Sequence, residues 1–175
     1  MSDSRRSYTG NGGGYVVTAT RVVTTVALGA LIGCAGRSAG IEGPTGGSSP
    51  EKAVEAFLVA SQEAVRAQRA GEVTQADRAY ERMAAVFGTE SGSISRAYPA
   101  DEVRSRMIVL SSCLRPDNFR VTSGPDPRAL ASGRTTVTVE LQRGTDTMTI
   151  PFRLVRGRDD RWFIEQIDLA STFSC

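Results

Sequence analysis

The stretch "VTVELQRGTDTMTIPFRLVRGRDDRWFIEQIDL", residues 137–169, decides the fold. Within it Val137, Val139 and Leu141, then Met148, Ile150, Phe152 and Leu154, alternate with mostly polar residues. A period of two places one set of side chains on a single face of a strand. "RGTD" (143–146) and "RGRDD" (156–160) interrupt the pattern with turn-forming residues, and "RWFIEQIDL" (161–169) resumes it. Short breaks between alternating runs predict antiparallel hairpins. Pro151 has no N–H to give to a ladder, which predicts an edge position or a bulge. Phe119 and Val121 alternate in the same way further upstream.

Towards the N-terminus the apolar spacing becomes helical. Ser49 is a capping residue, Pro50 suits the first helical position and Gly71 marks a stop, with Val54, Phe57, Leu58 and Val65 on one face between them. A second helix is expected to open at Thr74, with Asp77 three residues on in a capping-box arrangement. Tyr80, Met83, Ala84 and Phe87 form its stripe, and Gly88 closes it. "GTESGSISRAYP" (88–99) reads as a loop. A third helix over 100–114 carries Val103, Met107, Leu110 and Leu114. Helices first and strands afterwards give the α+β class, three N-terminal helices packed on a curved antiparallel sheet.

The first 33 residues have a different character. A polar, Gly-rich start carries Arg5, Arg6 and Arg21, followed by the apolar run "VVTTVALGALI" (22–32). Such a run rises about 16 Å as a helix, against a hydrocarbon core of about 30 Å, and so fits the apolar part of a signal peptide. It ends in "LIGC" (31–34), which resembles the lipobox of bacterial lipoproteins: an aliphatic residue, a tolerant position, a small residue and a cysteine. The resemblance implies diacylglyceryl attachment to Cys34 and cleavage after Gly33. It also implies a bacterial cell envelope, with Ala35 in place of aspartate pointing to the outer membrane and a domain facing the periplasm. Residues 34–49, rich in Gly and Ser, then read as a flexible lipidated tether, and 50–175 as the folded domain.

The chain carries 21 basic and 19 acidic residues. Removing residues 1–33 takes away Arg5, Arg6, Arg21 and Asp3 and leaves 18 of each. A neutral mature chain has no electrostatic footprint for nucleic acid. Histidine is absent, which excludes Ser-His-Asp and Cys-His nucleophile pairs. There is no HExxH and no CxxC pair for zinc; metal ligands and cofactors are therefore not expected. "GTESG" (88–92) lacks the spacing of a nucleophile elbow. "SPEK" (49–52) matches S-x-x-K, but Lys52 is the only lysine, and a helix cap followed by Pro explains the motif. With Cys34 committed to lipid, Cys113 and Cys175 remain as a candidate disulfide in an exported chain; a buried thiol and a frayed terminal one are the alternative.

The order of three helices followed by a meander resembles the NTF2-like (cystatin-like α+β roll) superfamily over about residues 50–169, as does the closing "GRDDRWFIEQIDL" (157–169). The resemblance implies a cone with a pocket between sheet and helices, and Tyr80, Phe87, Phe152 and Trp162 are the candidate lining residues, with the core as their other place. Superfamily members include non-catalytic binding modules, isomerases and dehydratases, so the fold alone selects none. The expected function is a membrane-anchored envelope lipoprotein with a non-catalytic domain for a small apolar ligand or a protein partner, and no catalytic residue is assigned. One alternative is an isomerase- or dehydratase-type enzyme using a carboxylate and a tyrosine, drawn from Tyr80, Tyr98, Glu140 and Glu165. Another is a structural lipoprotein that self-assembles through an apolar outer sheet face. Arg153 and Arg156 are candidates for clamping an anion, or else lie on a solvated strand face.

Overall fold

The computed structural model describes residues 45–169; the candidate lipid site Cys34, the signal peptide and Cys175 lie outside them. The chain is α+β. Helix α1 spans Pro50–Ala70 and α2 spans Val73–Ala85, then a short hairpin pairs β1 (Gly88–Thr89) with β2 (Gly92–Ser93), and α3 spans Ala100–Leu114. Strand β3 (Asn118–Ser123), the short helix α4 (Pro127–Ala131) and strands β4 (Arg134–Arg143), β5 (Asp146–Arg156) and β6 (Trp162–Ile167) follow. The last four strands form an antiparallel sheet in the order β3-β4-β5-β6.

Helix α1 begins and ends where its sequence signals stand. Ser49 Oγ accepts from Lys52 N at 3.3 Å, Pro50 fills the first turn, and Gly71 closes the helix at φ 73°. The capping box expected at Thr74 does not form. The N-cap of α2 is Glu72, without a side-chain bond, and Asp77 instead accepts from Arg104 of α3 at 2.7 Å. Helix α2 stops at Ala85, short of Gly88, because Val86 and Phe87 turn out of it to run beside β6. There Ile164 N donates to Val86 O at 2.9 Å and Phe87 bridges Ile164 in parallel. The segment read as a loop contains the β1–β2 hairpin and a 3₁₀ turn, Ile94–Arg96. Gly88 permits that hairpin, since a Cβ on it would lie 2.1 Å from Gly92 O.

One face of the sheet is buried. Val137, Val139 and Leu141 of β4 and Ile150, Phe152 and Leu154 of β5 pack with Val54, Phe57 and Leu58 of α1, Met83 of α2 and Met107 and Leu114 of α3. Phe57 meets Phe152 edge-on at 6.3 Å between ring centroids and Phe87 at 6.0 Å. Pro151 lies in a strand with neighbours on both sides, yet the reason for its tolerance is local. Its carbonyl accepts from Asp168 N at 3.2 Å, and the last β6 residue in register is Ile167, opposite Phe152. The proline ring therefore sits where β6 has run out and asks for no donor.

Thr45–Ser49, the end of the segment read as tether, lie against the outer edge of β6. Gly47 exchanges backbone hydrogen bonds with Trp162 at 2.8 and 2.9 Å, Gly46 N donates to Ala85 O at 2.8 Å, and Arg161 donates to Thr45 O and Gly46 O at 3.3 and 2.8 Å. With Val86–Phe87, this strap covers the β6 edge that would otherwise offer unpaired backbone groups. The fit excludes side chains: a Cβ on Gly47 would stand 2.5 Å from Ala53 N. Gly47→Ala is therefore expected to lower the unfolding free energy by about 2–3 kcal/mol. Gly71→Ala meets no neighbour and carries only the left-handed penalty of about 1 kcal/mol. Urea titration followed by Trp162 fluorescence compares them, and equal losses would contradict the tight strap.

Candidate functional site

The outer face of the sheet holds a concavity. A groove of about 640 Å³ is lined by Ser123 and Gly124 at the end of β3, Asp126 and Ala129 around α4, Arg134, Thr135, Thr136 and Thr138 of β4, Arg153 and Leu154 of β5, and Glu165 and Gln166 of β6. Strand alternation explains the floor. Val137 and Val139 point into the core, so Thr136 and Thr138 point outwards. The register sets Thr136 opposite Arg153, Arg153 opposite Gln166, and Thr138 opposite Ser123.

Two β-bulges frame this floor. On β3 the register jumps from Val121 to Ser123, with Thr122 as the extra residue, whose hydroxyl donates to Thr138 O at 3.2 Å. On β6 the extra residue is Glu165, between Ile164, paired with Leu154, and Gln166, paired with Arg153. A bulge redirects side chains that a regular strand would send to alternate faces. Here it leaves both Glu165 and Gln166 exposed beside the groove.

The groove's charges are largely engaged with one another. Arg134 donates to Glu90 at 2.7 Å and stands 3.6 Å from Glu165; the Glu90 hydrogen bond, then the Glu165 charge, raise its pKa further. Asp126 accepts from Arg128 N at 2.9 Å and so caps α4. Among the described residues Arg153 has only the Gln166 side-chain oxygen, at 3.5 Å. Thr135 also borders the groove, and its buried hydroxyl has no hydrogen-bond partner.

The residues expected to line a cavity between sheet and helices are elsewhere. Tyr80, Phe152 and Trp162 are buried in the core and Phe87 packs against it, and none of the four borders this groove or the smaller one beside Arg66 and Arg69 of α1. Nor do the candidate acid–base residues converge. Tyr80 lies on the helix side of the sheet, whereas Glu140, between buried Val139 and Leu141, lies on the outer face with Arg120 at 3.1 Å. Glu165 is on that outer face as well, and Tyr98 is exposed under the Arg106 guanidinium at 4.2 Å. Among the described residues no group of three or more His, Cys, Asp or Glu could hold a metal, and no helix is long and apolar enough to cross a membrane. Cys113 is disulfide-bonded, to a partner outside the described residues. The bulges and α4 escaped sequence reading; the "PDP" before Arg128 was the available signal for the helix, with Asp126 to cap it and Pro127 to open it.

No known protein family, no curated protein and no solved structure matches this chain.

Tyr80 generates a separate expectation. Burial pushes its phenol above the ordinary value of 10.0, and nearby Ser111 and Arg104 offset part of that push. Ser111 Oγ itself donates to Ile108 O at 3.0 Å, and the phenol oxygen is left buried without a hydrogen bond of acceptable geometry. Tyr80→Phe is therefore expected to stabilise the protein by about 1 kcal/mol near neutral pH. The raised value means that the folded state holds the phenol proton longer than the unfolded chain. That component of stability is whole below pH 10.0 and is lost as pH climbs through the folded value. Urea denaturation from about pH 8 to about pH 11 should show a steeper decline for the parent than for Tyr80→Phe; parallel declines would place the phenol in contact with water.

Proposed function

We propose that this chain is a lipid-anchored protein of the bacterial envelope whose NTF2-like domain is a non-catalytic binding module, with the outer-face groove as its binding surface. The observation that carries the binding reading is the placement of a polar groove between two bulges on one side of the sheet, while the other side is closed by packed side chains. A sheet of four regular strands needs neither bulge; each redirects residues that border the groove. The same division supports a non-catalytic reading, because Tyr80 and the carboxylates Glu140 and Glu165 are separated by the sheet.

The NTF2-like reading is supported by two helices, a hairpin and a third helix ahead of the meander, and by Val86–Phe87 running parallel beside the last strand. Self-assembly through an apolar sheet face has less support, since most outward positions of β4 and β5 are polar, Thr136, Thr138, Glu140, Thr147, Thr149 and Arg153 among them, and the apolar Val155 on that side is buried. The groove calls for a polar occupant in place of the small apolar ligand expected from an aromatic-lined cavity.

Anchoring rests on the "LIGC" motif and its preceding apolar run. It also constrains the disulfide. A thioether on Cys34 consumes that sulfur, and the chain has three cysteines, so a bonded Cys113 then takes Cys175. In the loop-entropy model that bond stabilises by about 4 kcal/mol. The deciding experiment is the intact native mass of the protein extracted from its own membrane in mild detergent. The expected species begins at Cys34, carries acyl chains, lacks two further hydrogens and retains a small polar ligand or partner. A full-length, unacylated chain would overturn the anchor. Loss of the disulfide deficit in Cys113→Ser but not in Cys175→Ser would overturn the pairing.

A further inference from the structure

We infer that the outer-face groove takes a small hydrophilic ligand through a carboxylate group, and that Arg153 is the residue that receives it. The inference rests on the binding-module reading above and names its ligand class. Arg143 at the end of β4 donates to Cys113 O at 3.2 Å, away from the groove, and the other four arginines of the sheet differ in their partners. Arg120 on β3 pairs with Glu140 at 3.1 Å, Arg134 on β4 with Glu90 at 2.7 Å, and Arg156 on β5 with Asp160 at 3.2 Å. Arg153, on the same strand as Arg156, has no carboxylate partner among the described residues. It is also the one of these four that stands on a central strand in the groove floor with neighbours on both sides, Thr136 and Gln166.

The surroundings equip that guanidinium for a planar anion. Gln166 is positioned to hold one edge of it, although at 3.5 Å the bond is long. Arginine presents a fork of N–H donors that matches the two oxygens of a carboxylate. The hydroxyls of Thr136, Thr138 and Ser123 occupy the neighbouring register positions and supply further donors. Of the acidic residues that line the groove, Asp126 caps α4 and Glu165 stands 3.6 Å from Arg134. A ligand carboxylate is therefore the acceptor that the floor lacks.

The same groups limit what else fits. Glu165 and Asp126 keep the lining balanced against Arg134 and Arg153, which disfavours a polyanion such as nucleic acid. No aromatic side chain lines the groove, so an apolar ring has no surface to stack on. The groove, about 640 Å³ and open to solvent, leaves one side of a small hydrophilic ligand in water. Arg156, the other arginine of the strand, is already held by Asp160 and does not border the groove.

The test uses the full chain, isotopically labelled and held in detergent, titrated with acetate, succinate and citrate and followed by backbone and arginine side-chain resonances. Sodium chloride at matched ionic strength and the neutral diamide of succinate serve as controls. Saturable shifts are expected at Thr136, Thr138, Arg153 and Gln166 with at least one of the acids and with neither control. Arg153→Gln should weaken that binding about tenfold or more, and Arg156→Gln should leave it unchanged. Absence of saturation by all three acids would overturn the inference, as would equal binding in Arg153→Gln. Phosphate binding more tightly than every carboxylate would also overturn it, and an acidic hexapeptide binding where the free acids do not would move the site to a protein partner. If the acids fail while the native mass still shows a bound species, the ligand class falls and the binding module stands.

Discussion

The contact on which the rest of the structure depends is the seating of α1 on the inner face of β4 and β5. Phe57 reaches from the helix to Phe152 and Phe87, and Val54 and Leu58 complete the buried stripe beside it. Helices α2 and α3 then pack with α1 over the same face, where Ala60, Ala64 and Ala67 of α1 and Ala76 and Ala79 of α2 are small enough to bring helix backbones close. Removing the Phe57 ring would open a void shared by three elements, and such voids cost about 3–5 kcal/mol because their walls relax only in part. Because this side of the sheet is filled, recognition is left to the other side.

The outer side is built differently at its two ends. Near the strap, Phe163 and Val155 are buried on that side, and the Phe163 ring passes so close to Gly46 and Gly157 that a Cβ on either would lie within 2.8 Å of it. Beyond them the face becomes polar: hydroxyls, Arg153 and the bulged Glu165–Gln166 pair. The strap thus protects the edge of β6 and covers its apolar outward residue, leaving the groove open. A chain entering the fold at Thr45 is held there by backbone pairing.

Much of the domain is legible in the sequence. The period-two runs at 137–141 and 148–154 placed β4 and β5, with the correct residues inwards, because one buried face imposes alternation on each strand. Ser49, Pro50 and Gly71 delimited α1 because capping is local chemistry. Helix α2 starts within a residue of Thr74, but the capping box is absent, because Asp77 accepts from the Arg104 side chain in tertiary space. The hairpin at 88–93 was hidden for a related reason: two-residue strands carry no readable period, and this pair exists because Ile94 N finds Phe87 O and Ser93 Oγ finds Ala84 O. Aromatic content suggested a pocket at Tyr80, Phe87, Phe152 and Trp162, but composition does not say whether rings face one another across a void or fill it.

The sequence by itself determined the α+β class, the inward and outward faces of β4 and β5, the balance of charge after residue 33 and the absence of histidine chemistry, because each is a property of neighbours along the chain. The tertiary structure alone decided that the core is closed and that Tyr80 is cut off from Glu140 and Glu165 by the sheet. It alone decided that Thr122 and Glu165 are the bulged residues, and that Arg153 has no carboxylate among the described residues while Arg120, Arg134 and Arg156 each hold one. Those outcomes depend on strand register and on which distant carboxylate comes within reach, such as Glu90 for Arg134, 44 residues away. No local pattern encodes a distance between residues that only folding brings together.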